Sequence, residues 1–264
     1  MKSSTLGYIA LPPSPYVIPM QPTLPPMPYL GARLRALLTL IEQVQSSTEP
    51  YHTLYDCCCD HGYLGIKLLR KNLCQHLHFN DQVPHLIDDL QQRLDDYPAD
   101  AITPSYSASA ADAGQLQINP QNKSLIILAG IGGEHMVNIL KPLLQRHSDH
   151  QLDFLFCPTT TQFDLREYLS LQKFSLIHES LVQERGRSYE VIHARWQQAH
   201  GLDPVSPTGA FWSASEQSHL DHLSKLIKHY QRRTLGDQKQ QAQRVLGLYL
   251  TLWLSTTGTA FDFG

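Results

Sequence analysis

Leu30, Leu34, Leu37, Leu38 and Ile41 recur at helical spacing and predict an amphipathic helix over residues 30–45. Beyond it, short apolar runs alternate with helical stretches. Thr53–Cys58 reads as a strand, Tyr63–Lys71 as a helix and Leu77–Asp81 as a short strand. Pro84–Leu94 reads as a helix, since proline is at home in a first helical turn. Ser124–Ala129 (SLIILA) is apolar without alternation, the pattern of a strand buried on both faces. A helix over 134–146, a strand Phe154–Cys157 and a helix Gln162–Leu171 follow. Phe174–Leu181 and Ser188–Ala194 read as strands with little between them, so antiparallel pairing is expected.

This alternation predicts an α/β fold: a Rossmann-like, mostly parallel sheet covered on both faces, with one antiparallel edge strand. After about residue 200 the strand signals end. Leu220, Leu223, Ile227 and Tyr230 share one face of a helix over 214–235, Gly236-Asp237 breaks it, and 238–254 resumes as a second helix. The result is an appended helical hairpin. Residues 1–29 hold eight prolines, which exclude helix and disfavour a central strand, so they read as an extended arm. The expected division is an arm at 1–29, an α/β domain at 30–198 and a helical appendage at 199–264.

The chain has 264 residues, 42% hydrophobic and 17% charged, enough apolar content for a sizeable core. The longest apolar runs fall well short of the roughly 20 residues that span a bilayer. The N-terminus lacks a basic segment followed by an apolar one, so a soluble, cytoplasmic protein without membrane contact is the default expectation. Net charge is −3, which does not mark a dedicated nucleic-acid binder. Locally the balance reverses. Between 219 and 247 stand Lys225, Lys228, Arg232, Arg233, Lys239 and Arg244 against Asp221 and Asp237. Five cysteines, an odd number without a C-x-x-C, argue against a disulfide framework. Three are consecutive, Cys57 to Cys59. Neighbouring strand residues point to opposite faces and cannot converge on one ion, so buried thiols are expected there and no metal.

The chemistry concentrates at strand ends. The first strand-to-helix turn reads Asp56-Cys57-Cys58-Cys59-Asp60-His61-Gly62-Tyr63-Leu64. In a doubly wound fold, ligands bind at the carboxyl ends of the strands near the switch point. Two acids spaced i, i+4 repel phosphate and suit an amine, a sulfonium or ribose hydroxyls. That favours S-adenosylmethionine over a pyrophosphate cofactor. Asp81 ends the next strand, 21 residues after Asp60, where a carboxylate can accept from ribose hydroxyls. Gly130, Gly132 and Gly133 follow the buried strand. They serve either a tight turn or a bare floor for a planar base or cofactor.

Arg33-Leu34, the D-H-G-Y-L at 60–64, the A-G-I-G-G at 129–133 and Arg187-Ser188-Tyr189-Glu190 occur in that order. Together they resemble the bacterial tRNA (adenine(22)-N1)-methyltransferase family of TrmK type, over about residues 30–195. The resemblance implies a class I methyltransferase fold, S-adenosylmethionine as donor, N1 of a tRNA adenine as acceptor and tRNA as partner; the sequence leaves the oligomeric state open, with a monomer favoured. Carried over by position, Asp56 to Gly62, with Cys58 and Asp60, would line the methionine end of the cofactor. Asp81 and Gln82 would hold the ribose, and Asp112 and Ala113 the adenine. Ala129, Gly130, Gly132 and Gly133 would meet the cofactor and face the target base. Asp60, His61, Arg33 and Tyr189 are the catalytic candidates, with Glu190 helping to shape the pocket. In the context of that family, the local excess of cations between 219 and 247 points to tRNA contact by the hairpin, the alternative being a solvated helical face.

Adenine N1 carries an in-plane lone pair, so transfer needs alignment and water exclusion more than a base. The product ring is cationic, and a carboxylate or neutral imidazole such as Asp60 or His61 can stabilise it. Three positions depart from the family pattern. Cys58 and Ala113 replace glycines, and Cys157-Pro158-Thr159 stands in place of Gln-Pro-Asn. These departures leave two alternatives open: another RNA or small-molecule acceptor, or a degenerate, non-catalytic RNA-binding homologue.

Overall fold

The structure, a computed structural model, describes residues 26–47, 49–97, 102, 104–197 and 199–263. Most of the proline-rich arm lies outside them. In chain order the elements are α1 (Ala32–Gln45), β1 (Thr53–Cys57), α2 (Tyr63–Arg70), β2 (His76–Asp81), α3 (Pro84–Asp95) and β3 (Ser105–Ala110). After a 3-10 turn at Ala113–Gln115 come β4 (Ser124–Ala129), α4 (Gly133–Arg146), β5 (Asp153–Cys157) and α5 (Gln162–Leu171). β6 (Ser175–Glu184), β7 (Arg187–Arg195), α6 (Gln217–Arg233) and α7 (Lys239–Thr257) complete the chain.

The strands form one sheet in the order β3-β2-β1-β4-β5-β7-β6. The first five are parallel, and β7 runs antiparallel to both β5 and β6. The expected antiparallel pair thus closes this side of the sheet, with β7 one strand in from the edge strand β6.

Apolar residues of β4 point alternately into two cores. Leu125 and Ile127 join Leu37, Ile41, Ile66 and Phe79 on the face covered by α1, α2 and α3. Ile126 and Leu128 join Met136, Leu140, Phe154 and Leu165 on the face covered by α4 and α5. Burial on both sides is why this strand carries no polar alternation. A third cluster joins Phe163 of α5 to Leu223, Ile227 and Tyr230 of α6 and to Val245 and Tyr249 of α7, so the hairpin packs on α5.

β3 was not foreseen from the pattern, and its chemistry explains why. Tyr106 and Ala108 face the first core, while Ser105, Ser107 and Ser109 face the other way. There the serines meet β2 histidines. His76 bonds Ser105 and Ser107 at 2.8 and 2.9 Å, and His78 bonds Ser107 and Ser109 at 2.8 and 2.9 Å. The β3–β4 crossover contributes only the short 3-10 turn. A self-satisfied polar ladder takes the place of an apolar face that a helix would cover.

A buried charge network ties β6, β7 and the hairpin to α5. Arg166 is fully buried, with Nε 2.5 Å from Glu190 and Nη2 2.7 Å from Glu179. Its Nη1 donates to the Ser206 carbonyl at 3.2 Å. Glu190 also meets His222 of α6 at 3.1 Å, and Glu179 accepts from the Ala210 amide at 2.6 Å. Removing the guanidinium leaves two buried carboxylates uncompensated. Arg166→Met is expected to destabilise the fold by about 3–5 kcal/mol in denaturant unfolding.

At the opposite, amino-terminal end of the parallel strands, Tyr51 donates to Asp153 at 2.6 Å and lies 3.0 Å from His193 Nε2. Arg195 grips Asp153 through two bonds of 2.7 Å. Burial lowers the His193 imidazole from its ordinary range to about 4, opposed by Asp153 and reinforced by His178, Arg195 and Lys123. The unfolded imidazole takes its proton near 6.5, so between 6.5 and 4 the unfolded chain binds more protons. This contribution is complete above about 6.5 and is lost as the pH falls towards 4, amounting to about 3 kcal/mol. Thermal unfolding between pH 7 and 4 is expected to show the decline, and His193→Gln to flatten it.

Candidate active site

Where β1 ends, the backbone turns through three left-handed residues, Cys58 (φ 54°), Asp60 (φ 52°) and Gly62 (φ 67°). Glycine suits Gly62 twice over, because a Cβ there would also lie 2.5 Å from Leu90. At Cys58 and Asp60 a side chain is carried at a cost of roughly 1 kcal/mol each. This backbone conformation favours glycine at position 58 in turns of this kind. The loop is pinned by Cys59 N–H to the Asn80 carbonyl (3.1 Å) and Asp60 N–H to Asp81 Oδ2 (3.0 Å).

The turn forms one wall of a cavity of about 560 Å³. Asp56, Cys58, Cys59, Asp60 and His61 come from β1 and its turn, and Asn80, Asp81, Gln82 and Val83 from the end of β2. Asp112 and Ala113 follow β3, and Ala129, Gly130 and Ile131 close β4. Arg33 and Leu34 enter from α1, Tyr63 and Leu64 from α2, Leu86 from α3, and His135, Asn138 and Ile139 from α4. The cavity therefore sits at the carboxyl ends of β1 and β4, where the strand order reverses.

Four carboxylates line it, with Arg33 as the one arginine or lysine among the described lining residues. Asp81 is held by two amides, Asp60 N–H on Oδ2 and Val83 N–H on Oδ1 (3.1 Å), and keeps further lone pairs for a ligand. Asp112 accepts from Gly114 N–H at 2.9 Å. Asp56 is nearly fully buried. Burial pushes its carboxyl up to about 7, the Gly65 amide at 3.0 Å pulls it down, and Asp81 adds to the rise. Burial, with Asp81, Asp56 and Asp112, pushes the Cys58 thiol up to about 12. Burial, with Asp56, Asp81 and Cys58, likewise raises the Cys59 thiol against a backbone hydrogen bond that lowers it. Both are thiols rather than thiolates at neutral pH. Among the described residues no three or more His, Cys, Asp or Glu side chains could hold a metal ion, and no helix is long and apolar enough to cross a membrane.

The sequence-predicted residues divide. Asp56, Cys58, Asp60, His61, Asp81, Gln82, Asp112, Ala113, Ala129, Gly130 and Arg33 line the cavity. Gly62, Gly132, Gly133 and Tyr189 do not. A Cβ on Gly132 would crowd Thr160, and one on Gly133 would lie 2.3 Å from the Thr161 carbonyl oxygen. These glycines let the β4–α4 and β5–α5 loops touch, and the expected glycine floor reduces to Gly130. Glu190 also leaves the pocket, drawn into the Arg166 network. His135 and Asn138 were missed; their i, i+3 spacing on the face of α4 was the available signal.

Tyr189 lies on the boundary. Arg33 stacks over its ring at 5.5 Å, and Arg33 Nη1 is buried with no hydrogen-bond partner. Tyr189 itself lines a second cavity of about 610 Å³, formed by Thr159–Gln162, by Gly186 of the β6–β7 turn and Arg187–Tyr189 at the start of β7, and by α6. Arg187, Lys225, Arg232 and Arg233 make that cavity basic, with His222 and His229 beside them.

Comparison with known proteins agrees with this geometry. The MG248 protein of Mycoplasma genitalium, whose name assigns it provisionally to the tRNA methyltransferases, is 26% identical over 139 residues, 53% of this chain and 60% of that protein. The chain thus matches less than two thirds of that relative's length. The structure of M. capricolum TrmK with S-adenosylhomocysteine superposes with a TM-score of 0.63 at 15% identity, covering 83% of this chain and 97% of that one. The B. subtilis m1A22 tRNA methyltransferase TrmK gives 0.58 at 18% identity, covering 87% and 99%. At such identities the two structures establish a shared fold. The methyltransferase-domain family model matches residues 35–192, more than half of the chain, and the chain belongs to that family.

Proposed function

We propose that the protein transfers a methyl group from S-adenosylmethionine to N1 of an adenine in tRNA, position 22 by family resemblance. The observation that carries this reading is the acidic cavity at the sheet's switch point, beside a basic cavity on the acceptor side. Carboxylates around a single arginine repel a pyrophosphate and suit a ligand with a sulfonium, an amine and ribose hydroxyls. S-adenosylmethionine, when bound, supplies an electrophilic methyl on a cationic sulfur. Asp81, already fixed by two amides, is positioned to accept from ribose hydroxyls. Val83 and Ala113 offer apolar contact for a flat base beside Asp112. Arg33 and Gly130 face the target base. Asp60 and His61, 3.7 Å apart and both largely exposed at the rim, can offset the charge that develops on the methylated ring.

The basic cavity suits the phosphates of the acceptor strand, so the hairpin takes part in holding tRNA. The domain division at 30–198 and 199–264 belongs to the same proposal, as do a monomeric state and a cytoplasmic location.

Calorimetric titration with S-adenosylmethionine is expected to show saturable binding by the unmutated protein. Asp81→Ala is expected to weaken it roughly ten- to a hundredfold, as loss of bonds to a charged group does. Absence of binding by the folded, unmutated protein would instead support the non-catalytic alternative raised by Cys58. Reversing Lys225, Arg232 and Arg233 to Glu is expected to weaken tRNA binding and to reduce its salt dependence, while donor affinity stays within about twofold. Unchanged tRNA affinity would remove the hairpin from the interface.

A further inference from the structure

At the rim of the acidic cavity three planar side chains gather. The rings of His61 and Tyr63 stack with centroids 5.4 Å apart and planes 29° from parallel. The Arg93 guanidinium of α3 lies 5.3 Å from the Tyr63 ring centroid. Arg93 also donates to the His61 carbonyl at 2.7 Å, which ties the group to the β1–α2 turn. Tyr63 is 38% exposed and the His61 side chain 46% exposed. The α2 interior does not need Tyr63, because Leu64, Ile66, Leu68 and Leu69 fill that core. Flat, π-rich groups are thus kept part-exposed and preoriented beside the mouth, with a cation against them.

We propose that His61, Tyr63 and Arg93 form a stacking platform for an unpaired nucleobase of the RNA, next to the adenine that enters the cavity. This inference rests on the RNA-acceptor reading above. Its physical basis is separate from the phosphate contacts of the basic cavity. Aromatic rings stack on any base, and an adjacent guanidinium adds to the attraction. The platform's preorganisation lowers the ordering cost of capturing a base that has left its own stack. Stacking adds affinity without releasing counterions, so its loss leaves the salt dependence of binding unchanged.

The test measures anisotropy of fluorescein-labelled unmodified tRNA across a salt series, with calorimetric titration of S-adenosylmethionine alongside. Tyr63→Ala is expected to weaken RNA binding roughly tenfold or more with the salt slope of the unmutated protein. Tyr63→Phe, which keeps the ring, is expected to restore affinity to within about twofold, and Arg93→Ala to give a smaller loss. Unchanged RNA affinity in Tyr63→Ala overturns the platform, as does a Phe variant no better than Ala. Tyr63 also lines the donor cavity, so a loss of RNA affinity in Tyr63→Ala no larger than its loss of S-adenosylmethionine affinity assigns the ring to the donor and also overturns the platform. Failure of the unmutated protein to bind tRNA overturns the acceptor reading itself, and is recognised by appearing before any substitution.

Discussion

The carboxyl end of β1 lies between β2 and β4, and the crossovers on its two sides pack on opposite faces of the sheet. Helices α2 and α3 cover one face, and α4 and α5 the other. Between these oppositely placed crossovers the carboxyl ends of β1 and β4 leave a crevice. The cavity's carboxylates all come from strand ends that face that crevice: Asp56 and Asp60 at the end of β1 and in its turn, Asp81 at the end of β2 and Asp112 after β3, with Gly130 after β4 beside them. The turn after β1 holds its shape through left-handed residues and the Asp60–Asp81 contact. The cavity and the sheet topology therefore depend on one another.

Charge is segregated across this face. Carboxylates gather around the first cavity, and arginines and lysines around the second. The net charge of −3 conceals the division. In the proposed function this segregation directs a cationic small molecule and a polyanion to adjacent sites, with the Arg33–Tyr189 pair at the boundary. The Arg166 network secures this arrangement from below. It fixes Glu190, and so the strand that carries Tyr189, to α5 and to His222 of the hairpin helix.

Much of this was legible in the sequence because it is local. β4 reads as buried on both faces because every residue from Leu125 to Leu128 enters a core. The hairpin reads from the spacing of Leu223, Ile227 and Tyr230. Asp56 and Asp81 read as site residues because strand ends in this fold face the crevice. What stayed hidden depends on pairing across the chain. β3 has no apolar signature, since its serines are matched by histidines on β2. Gly132 and Gly133 looked like a ligand floor, but their neighbours are Thr160 and Thr161 of the next loop. Glu190 looked like a pocket residue beside Tyr189, but its partner is an arginine 24 positions earlier. The stacked group of His61, Tyr63 and Arg93 needs α3 folded against α2 before it exists.

The most direct test of the account is the product of the reaction. Unmodified tRNA is incubated with the protein and methyl-labelled S-adenosylmethionine, digested to nucleosides and resolved by mass spectrometry. Label in 1-methyladenosine, lost when Asp81 is replaced by Ala, is the predicted result. Label in a different nucleoside, or none despite saturable binding of donor and tRNA, would contradict it.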